Sequence, residues 1–203
     1  MLERNYDKYL HIETSKYSET FDHSNVHYHR YEPTPYSALQ VLFEHHKIVS
    51  SDRIVDFGCG KGRLIFFIHY FYQATVIGIE MNQSFYESAR NNSLSYIRQN
   101  QLVKHDNIHL YHCLAEGYQI NENDNKFYFF NPFTVQIFMR IINNILRSVE
   151  KNPREIELII YYGSDDYVYF LNYQTTFSLK QEIAVPILVD SNPYERFLVY
   201  RLG

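Results

Sequence analysis

Residues Ile54 to Arg63 read I-V-D-F-G-C-G-K-G-R: an acid, Asp56, closes an apolar run, and Gly58, Gly60 and Gly62 follow at alternate positions. Alternate glycines let a backbone turn sharply after a strand and approach a ligand that a Cβ would displace. A dinucleotide fingerprint, G-x-G-x-x-G, would need glycine at position 63, which is Arg63. A tight strand-to-helix connection with no ligand is the bland alternative. Glu80 ends the next apolar run, T-V-I-G-I-E. A carboxylate there can accept hydrogen bonds from both hydroxyls of a ribose. The alternative is an acid that favours the start of the helix opening at Asn82. Farther on, F-Y-F-F runs into Asn131, Pro132 and Phe133. An Asn N-cap followed by Pro at the first helical position would be an ordinary helix start.

These groups need elements to position them, and the chain alternates regularly enough to supply them. Leu39, Leu42 and Phe43 at helical spacing after Pro35 predict a helix over 35–49. Strands are predicted at Arg53–Phe57, Thr75–Glu80, Asn107–His112, Lys126–Phe130 and Glu155–Tyr162, with helices at Lys61–Tyr72, Asn82–Arg98 and Thr134–Val149. Alternation of this kind implies parallel βαβ units in a sheet covered on both faces. The β-rich runs Phe177–Val185 and Arg196–Leu202 leave no room for a long helix between them, so they predict a hairpin and an antiparallel strand near the sheet edge. Residues 1–33 are polar, rich in Tyr and His, and without a sustained period. They are expected to form an N-terminal extension, a candidate lid, on a domain spanning 34–203.

The bulk properties narrow the class. A chain of 203 residues suits one domain. No apolar run approaches the roughly 20 residues of a membrane span, and the charged N-terminus lacks the apolar region of a secretory signal. Two cysteines, Cys59 and Cys113, make no disulfide framework, which points to a reducing cytoplasm. A net charge of −4 argues against a broad phosphate-binding face. His23, His27 and His29 lack Cys or acidic partners at confirming spacing, so no metal is expected. Cys59 reads as a small turn residue, since no His at a defined spacing marks it as a nucleophile. Asp165 and Asp166 either face a substrate opening or begin a solvated helix.

Taken together, the D-x-G-x-G-x-G turn, the acid ending the second strand and the closing hairpin resemble the class I S-adenosylmethionine (SAM)-dependent methyltransferases over roughly residues 35–203. The resemblance implies an α/β fold: a Rossmann-like seven-stranded, mostly parallel sheet with an antiparallel C-terminal strand and helices on both faces. It implies SAM as cofactor. Asp56 would contact the methionine amino group, directly or through water, while Gly58, Cys59, Gly60 and Gly62 cradle the methionine and ribose. Glu80 would take the ribose hydroxyls, and Met81 would lie against the adenine or simply pack. Family members usually carry Asp or Asn after the third strand to bind the adenine amino group. Here C-L-A-E-G-Y (Cys113–Tyr118) offers Glu116, or the backbone of Leu114 or Ala115. In Y-E-P-T-P-Y, Tyr31, Thr34 and Tyr36 would close over the methionine end, or belong to a Pro-punctuated loop packed on the sheet.

Asn131-Pro132-Phe133 resembles, one proline short, the Asp/Asn-Pro-Pro-Tyr/Phe site of amino-group methyltransferases. There two acceptors orient the target nitrogen and the aromatic ring stacks on a planar substrate. The leading expectation is therefore direct in-line methyl transfer to nitrogen, with a protein side chain or small amine favoured over nucleic acid. A small-metabolite O- or N-methyltransferase under an N-terminal lid, and a non-catalytic SAM-binding module, are the other two readings.

Overall fold

In this computed structural model residues 3–15, 32–100, 105–186 and 188–203 are described. Seven strands form one sheet: β1 (Arg53–Phe57), β2 (Thr75–Glu80), β3 (Ile108–His112), β4 (Lys126–Phe130), β5 (Ile156–Tyr161), β6 (Ser178–Ala184) and β7 (Arg196–Leu202). Their order is β3-β2-β1-β4-β5-β7-β6. The first five are parallel, and β7 lies antiparallel between β5 and β6. This is the expected architecture. The strand order reverses between β1 and β4, where open α/β sheets take their ligands.

The helices are α1 (Glu3–Leu10), α2 (Tyr36–His45), α3 (Arg63–Tyr72), α4 (Gln83–Gln99), α5 (Val135–Lys151), α6 (Asp165–Gln174) and the single turn α7 (Leu188–Ser191). Side chains alternate across each central strand, so Ile54 enters the core under α2 and α3 while Val55 and Phe57 enter the core under α5 and α6. Helix α5 shows its logic plainly: Ile137, Phe138, Ile141, Ile142 and Ile145 are buried at helical spacing, and Gln136 and Asn143 face water.

Helix α1 is not legible as a periodic segment. It is one short stretch whose apolar contribution is Tyr6 and Leu10, spaced by one turn. Both are buried because the helix docks: the Tyr6 ring stacks on Tyr36 at 4.8 Å and meets Phe67 at 5.6 Å. A helix of this length is not stable alone and takes its stability from packing.

Opposite the strand ends that face the glycine turn, β4 and β5 bury a charged cluster. Glu157, 4% exposed, accepts from Lys126 and Lys180, and His46 Nε2 lies 3.2 Å from its Oε2. Burial opposes the charge on Glu157, but hydrogen bonds from His46, Lys126 and Lys180 outweigh it and hold the carboxyl well below the usual range.

Candidate functional site

The turn after β1 is held in a left-handed backbone at Gly58 (φ 83°), Gly60 (φ 55°) and Gly62 (φ 87°). The N–H groups of Gly58 and Cys59 both donate to the Ile79 carbonyl, at 2.9 and 3.0 Å, which pins the turn to the end of β2. A Cβ on Gly58 would come within 3.0 Å of the Pro132 Cβ, and one on Gly62 within 2.7 Å of the Phe66 ring. Gly58 and Gly62 are thus required by backbone sign and by close approach together, and Gly60 by backbone sign.

Two buried carboxylates border this turn. Asp56 is 5% exposed; burial, and then the neighbouring Glu80 charge, push its carboxyl up to about 8. Glu80 accepts from the Gly60 N–H at 2.9 Å through Oε2 and from the Asn82 N–H at 2.7 Å through Oε1. It is not the cap of α4. That role belongs to Asn82, whose side chain accepts from the Phe85 N–H. A glycine turn flanked by two desolvated acids fits a ligand that brings positive charge and hydroxyl donors. Cys59 fills the space over Gly78, where an added Cβ would stand 2.8 Å from its sulfur. Burial and then Asp56 raise its thiol well above normal, so it is a packing residue.

Beyond β3 the backbone continues the site. His112 Nε2 lies 2.9 Å from the Met81 carbonyl and its ring stacks with Tyr86 at 5.1 Å, fixing the segment that follows Glu80. Ala115 is buried, Leu114 is exposed, and the Glu116 carboxylate lies 3.7 Å from the Arg140 guanidinium of α5.

On the β4 side the helix-start reading of Asn131 is corrected. Helix α5 begins at Val135 with Thr134 as N-cap, and Asn131 sits three residues earlier in a left-handed conformation, φ 37°. Asn tolerates that region better than other residues with a Cβ. The stacking role of Phe133 is corrected as well. Its ring is 2% exposed in the core and its carbonyl accepts from the Tyr167 hydroxyl at 2.6 Å, so it presents no face to a substrate. Half-buried Phe130, the residue before Asn131, and half-buried Tyr162, just past β5, hold their ring centroids 6.4 Å apart. Tyr162 also has a positive φ, 56°. A bulky residue there is a true outlier, and such strain concentrates at functional sites.

The N-terminal candidates divide. Tyr31 lies outside the described residues, as do His23, His27 and His29. Thr34 is buried with its hydroxyl 2.7 Å from that of Tyr128. Tyr36 is fully buried and donates to Asp7 at 2.7 Å, which places it in the core under Arg63 instead of over a cofactor. Sequence reasoning missed Asp7, Arg63, Asn92 and His112. Arg63 carried a usable signal: a cation at the first position of an apolar helix opposes the helix dipole and must find acceptors elsewhere. Asp165 and Asp166 open α6 behind the N-cap Ser164, and Asp165 also accepts from Tyr194 at 3.1 Å. Among the described residues no cluster of His, Cys, Asp and Glu could hold a metal, and no helix is long and apolar enough to cross a membrane.

Comparison with known proteins agrees with this geometry. Residues 36–116, from α2 through the glycine turn to the loop after β3, match the model of a methyltransferase domain family, Methyltransf_32. No curated protein matches by sequence. An RNA methyltransferase from Salinibacter ruber, solved with S-adenosyl-L-homocysteine (SAH), superposes with TM-score 0.55 at 15% identity, over 84% of this chain and 92% of that one. The human methyltransferase 10 domain containing protein gives TM-score 0.58 at 13% identity, over 86% and 85% of the two chains. An uncharacterized protein from Listeria monocytogenes serotype 4b gives TM-score 0.54 at 13% identity; the match covers 82% of this chain but only 66% of that one. The methyltransferase-domain model on the motif-bearing stretch, the sheet order and the acid-flanked glycine turn at its switch point agree, and the chain has the Rossmann-like fold that these solved methyltransferases share.

Proposed function

We propose that this chain is a class I SAM-dependent methyltransferase and that it modifies a nitrogen acceptor presented at Asn131. The observation that carries the proposal is the place of Asn131-Pro132. It is not a helix cap, and Pro132 packs directly over Gly58, so the end of β4 and the cofactor cradle share a contact. Bound SAM supplies an electrophilic methyl group. The chain's own part is to bind, orient and exclude water. In this reading Asp56 holds the methionine ammonium and Glu80 the ribose hydroxyls, with Gly58, Cys59, Gly60 and Gly62 giving the backbone room to approach. Met81, Ala115 and the loop to Glu116 border the adenine. The Asn131 side-chain oxygen and the Pro132 carbonyl accept hydrogen bonds from the acceptor N–H, and Phe130 and Tyr162 take the stacking place that Phe133 does not fill. An amide takes up no proton, so Asn131 orients the acceptor nitrogen and its proton leaves to water. Exposed Asp165 and Asp166 beyond β5, with the net charge of −4, favour a protein side chain or small amine over a phosphate backbone.

Methyl-labelled SAM incubated with host extract, followed by size separation and protease or nuclease treatment, identifies the acceptor class. Asn131→Ala is expected to lower label transfer roughly a hundredfold, the cost of losing one preorganised polar contact at a reacting centre. SAH affinity should stay within about threefold. Unchanged transfer by this variant would remove Asn131 from the chemistry.

The Asp56 assignment has a pH signature. Its carboxyl, at about 8, is largely neutral at pH 7 without ligand, whereas an ammonium partner favours the carboxylate. Binding therefore releases a proton, and SAH affinity should rise from pH 6 to 7.5, by up to about tenfold per pH unit. For the ligand-free fold the sign is opposite. The raised value stabilises it below the unfolded carboxyl range, and that contribution is lost as pH rises through about 8. Calorimetry in buffers of different ionisation heat measures the proton release. Asp56→Asn should bind SAH weakly with no pH slope in this window, and an unchanged slope would reject the assignment.

A further inference from the structure

We infer that Arg63 is a positioning residue that makes the N-terminal segment a wall of the cofactor site, so that cofactor affinity depends on the docking of residues 7–15 and 32–36. The guanidinium is 6% exposed at the first position of α3, one residue past Gly62. It donates from Nε to the Thr14 hydroxyl at 2.8 Å, from Nη2 to the Ser15 hydroxyl at 3.1 Å and from Nη1 to the Thr34 carbonyl at 3.2 Å. Its plane covers the Tyr36 ring at 4.4 Å. These partners all come from residues 14–36.

The segment is braced from behind by Asp7. Its carboxylate accepts from the Thr14 N–H and hydroxyl, both at 2.8 Å, and from the Tyr36 hydroxyl at 2.7 Å. Burial works against the charge on Asp7, but these donors and the Arg63 charge hold its carboxyl below the usual value. Two further contacts reach the cradle itself. Asn92 donates to the carbonyls of both Lys61 and Glu13, tying residue 13 to the middle of the Gly60–Gly62 turn. The Thr34 hydroxyl meets that of Tyr128, which pairs in register with Asp56.

A buried cation at a helix N-terminus is unfavourable by dipole and by desolvation, and the docked segment stabilises it here with the acceptors of Thr14, Ser15 and Thr34. If the segment lifts, Arg63 must rehydrate, and the turn that begins α3 moves with it. Docking and the cradle's conformation are therefore linked, and linkage is reciprocal: whatever binds the cradle also tightens the segment.

The test is SAH titration calorimetry with hydrogen exchange on the full chain, comparing wild type, Arg63→Gln and the milder Thr14→Val/Ser15→Ala pair. The pair stays informative should Arg63→Gln not fold. Glu157→Gln, which weakens the far end of the sheet, is the control for simple destabilisation. Both clamp variants are expected to bind SAH about tenfold more weakly, within the usual range of coupling between sites, while the control stays within twofold. Saturating SAH should slow amide exchange over residues 6–15 in wild type and not in the Thr14/Ser15 pair. Clamp variants that bind like wild type, or exchange over residues 6–15 that is blind to SAH, would overturn the inference. Neither readout involves an acceptor, so failure of the nitrogen-acceptor reading would leave both results unchanged.

Discussion

Glu80→Ala lowers SAH affinity by more than a hundredfold, measured by calorimetry, while the protein remains folded. The size follows from the two jobs this carboxylate does. It fixes the turn by accepting from the Gly60 N–H, and it fixes the start of α4 by accepting from the Asn82 N–H. Hydrogen bonds to a charged group contribute about 1.5–3 kcal/mol each. In the proposed site the same group also meets the ribose hydroxyls. Losing about 3 kcal/mol of binding suffices for the expected change. Glu80→Gln should fall between, because its amide keeps one acceptor oxygen and turns a donor toward the second N–H. Binding of SAH by the alanine variant within tenfold of wild type would show that the ribose is held elsewhere.

Glu157→Gln destabilises the fold by about 3 kcal/mol, the low end of the cost of breaking a buried ion pair. For a domain of this size that is roughly 6–12 °C in Tm. The glutamine leaves Lys126 buried with a neutral partner, and His46 and Asp52 must rearrange around it. Since the Glu157 carboxyl is held well below its usual value, its contribution is fully present above the unfolded carboxylate range near 4.3 and is lost as pH falls. The Tm gap between wild type and variant should therefore narrow below about pH 4. Joint replacement by Glu157→Leu and Lys126→Met should recover much of the loss, because Lys180 is exposed enough to turn to water. A single variant as stable as wild type at pH 7 would mean the cluster is energetically neutral.

Sequence patterning reached the sheet because burial imposes it. T-V-I-G-I-E pairs with β1 and I-E-L-I-I-Y with β4 in inner positions of a covered sheet, where apolar runs are obligatory. The glycine turn was legible for a related reason, since three left-handed positions in one turn leave glycine as the unstrained choice. What stayed hidden depends on partners distant in sequence. Asn131-Pro132 has the local chemistry of a helix start, yet the Phe133 ring is drawn into the core and the cap moves to Thr134. Tyr36 looked like a residue able to cover a ligand, and only its bond to Asp7, 29 positions away, puts it in the interior. Arg63 and Thr14 are 49 positions apart, and neither residue type announces the other.

The position of β7 bears on how this chain is assembled. β5 has no neighbour on its outer side until residues 196–202 pair with it, and β6 reaches the sheet only through β7. The stretch that builds the glycine turn and its two flanking acids is complete long before then. During synthesis the nascent chain therefore holds a nearly finished parallel half of the sheet beside an open strand edge, a surface prone to pairing with other chains. The β6–β7 pair, a local unit whose strands are joined through α7, closes that edge in one docking event. Truncation ahead of residue 196 should yield aggregates instead of a smaller folded domain, as size-exclusion chromatography would read.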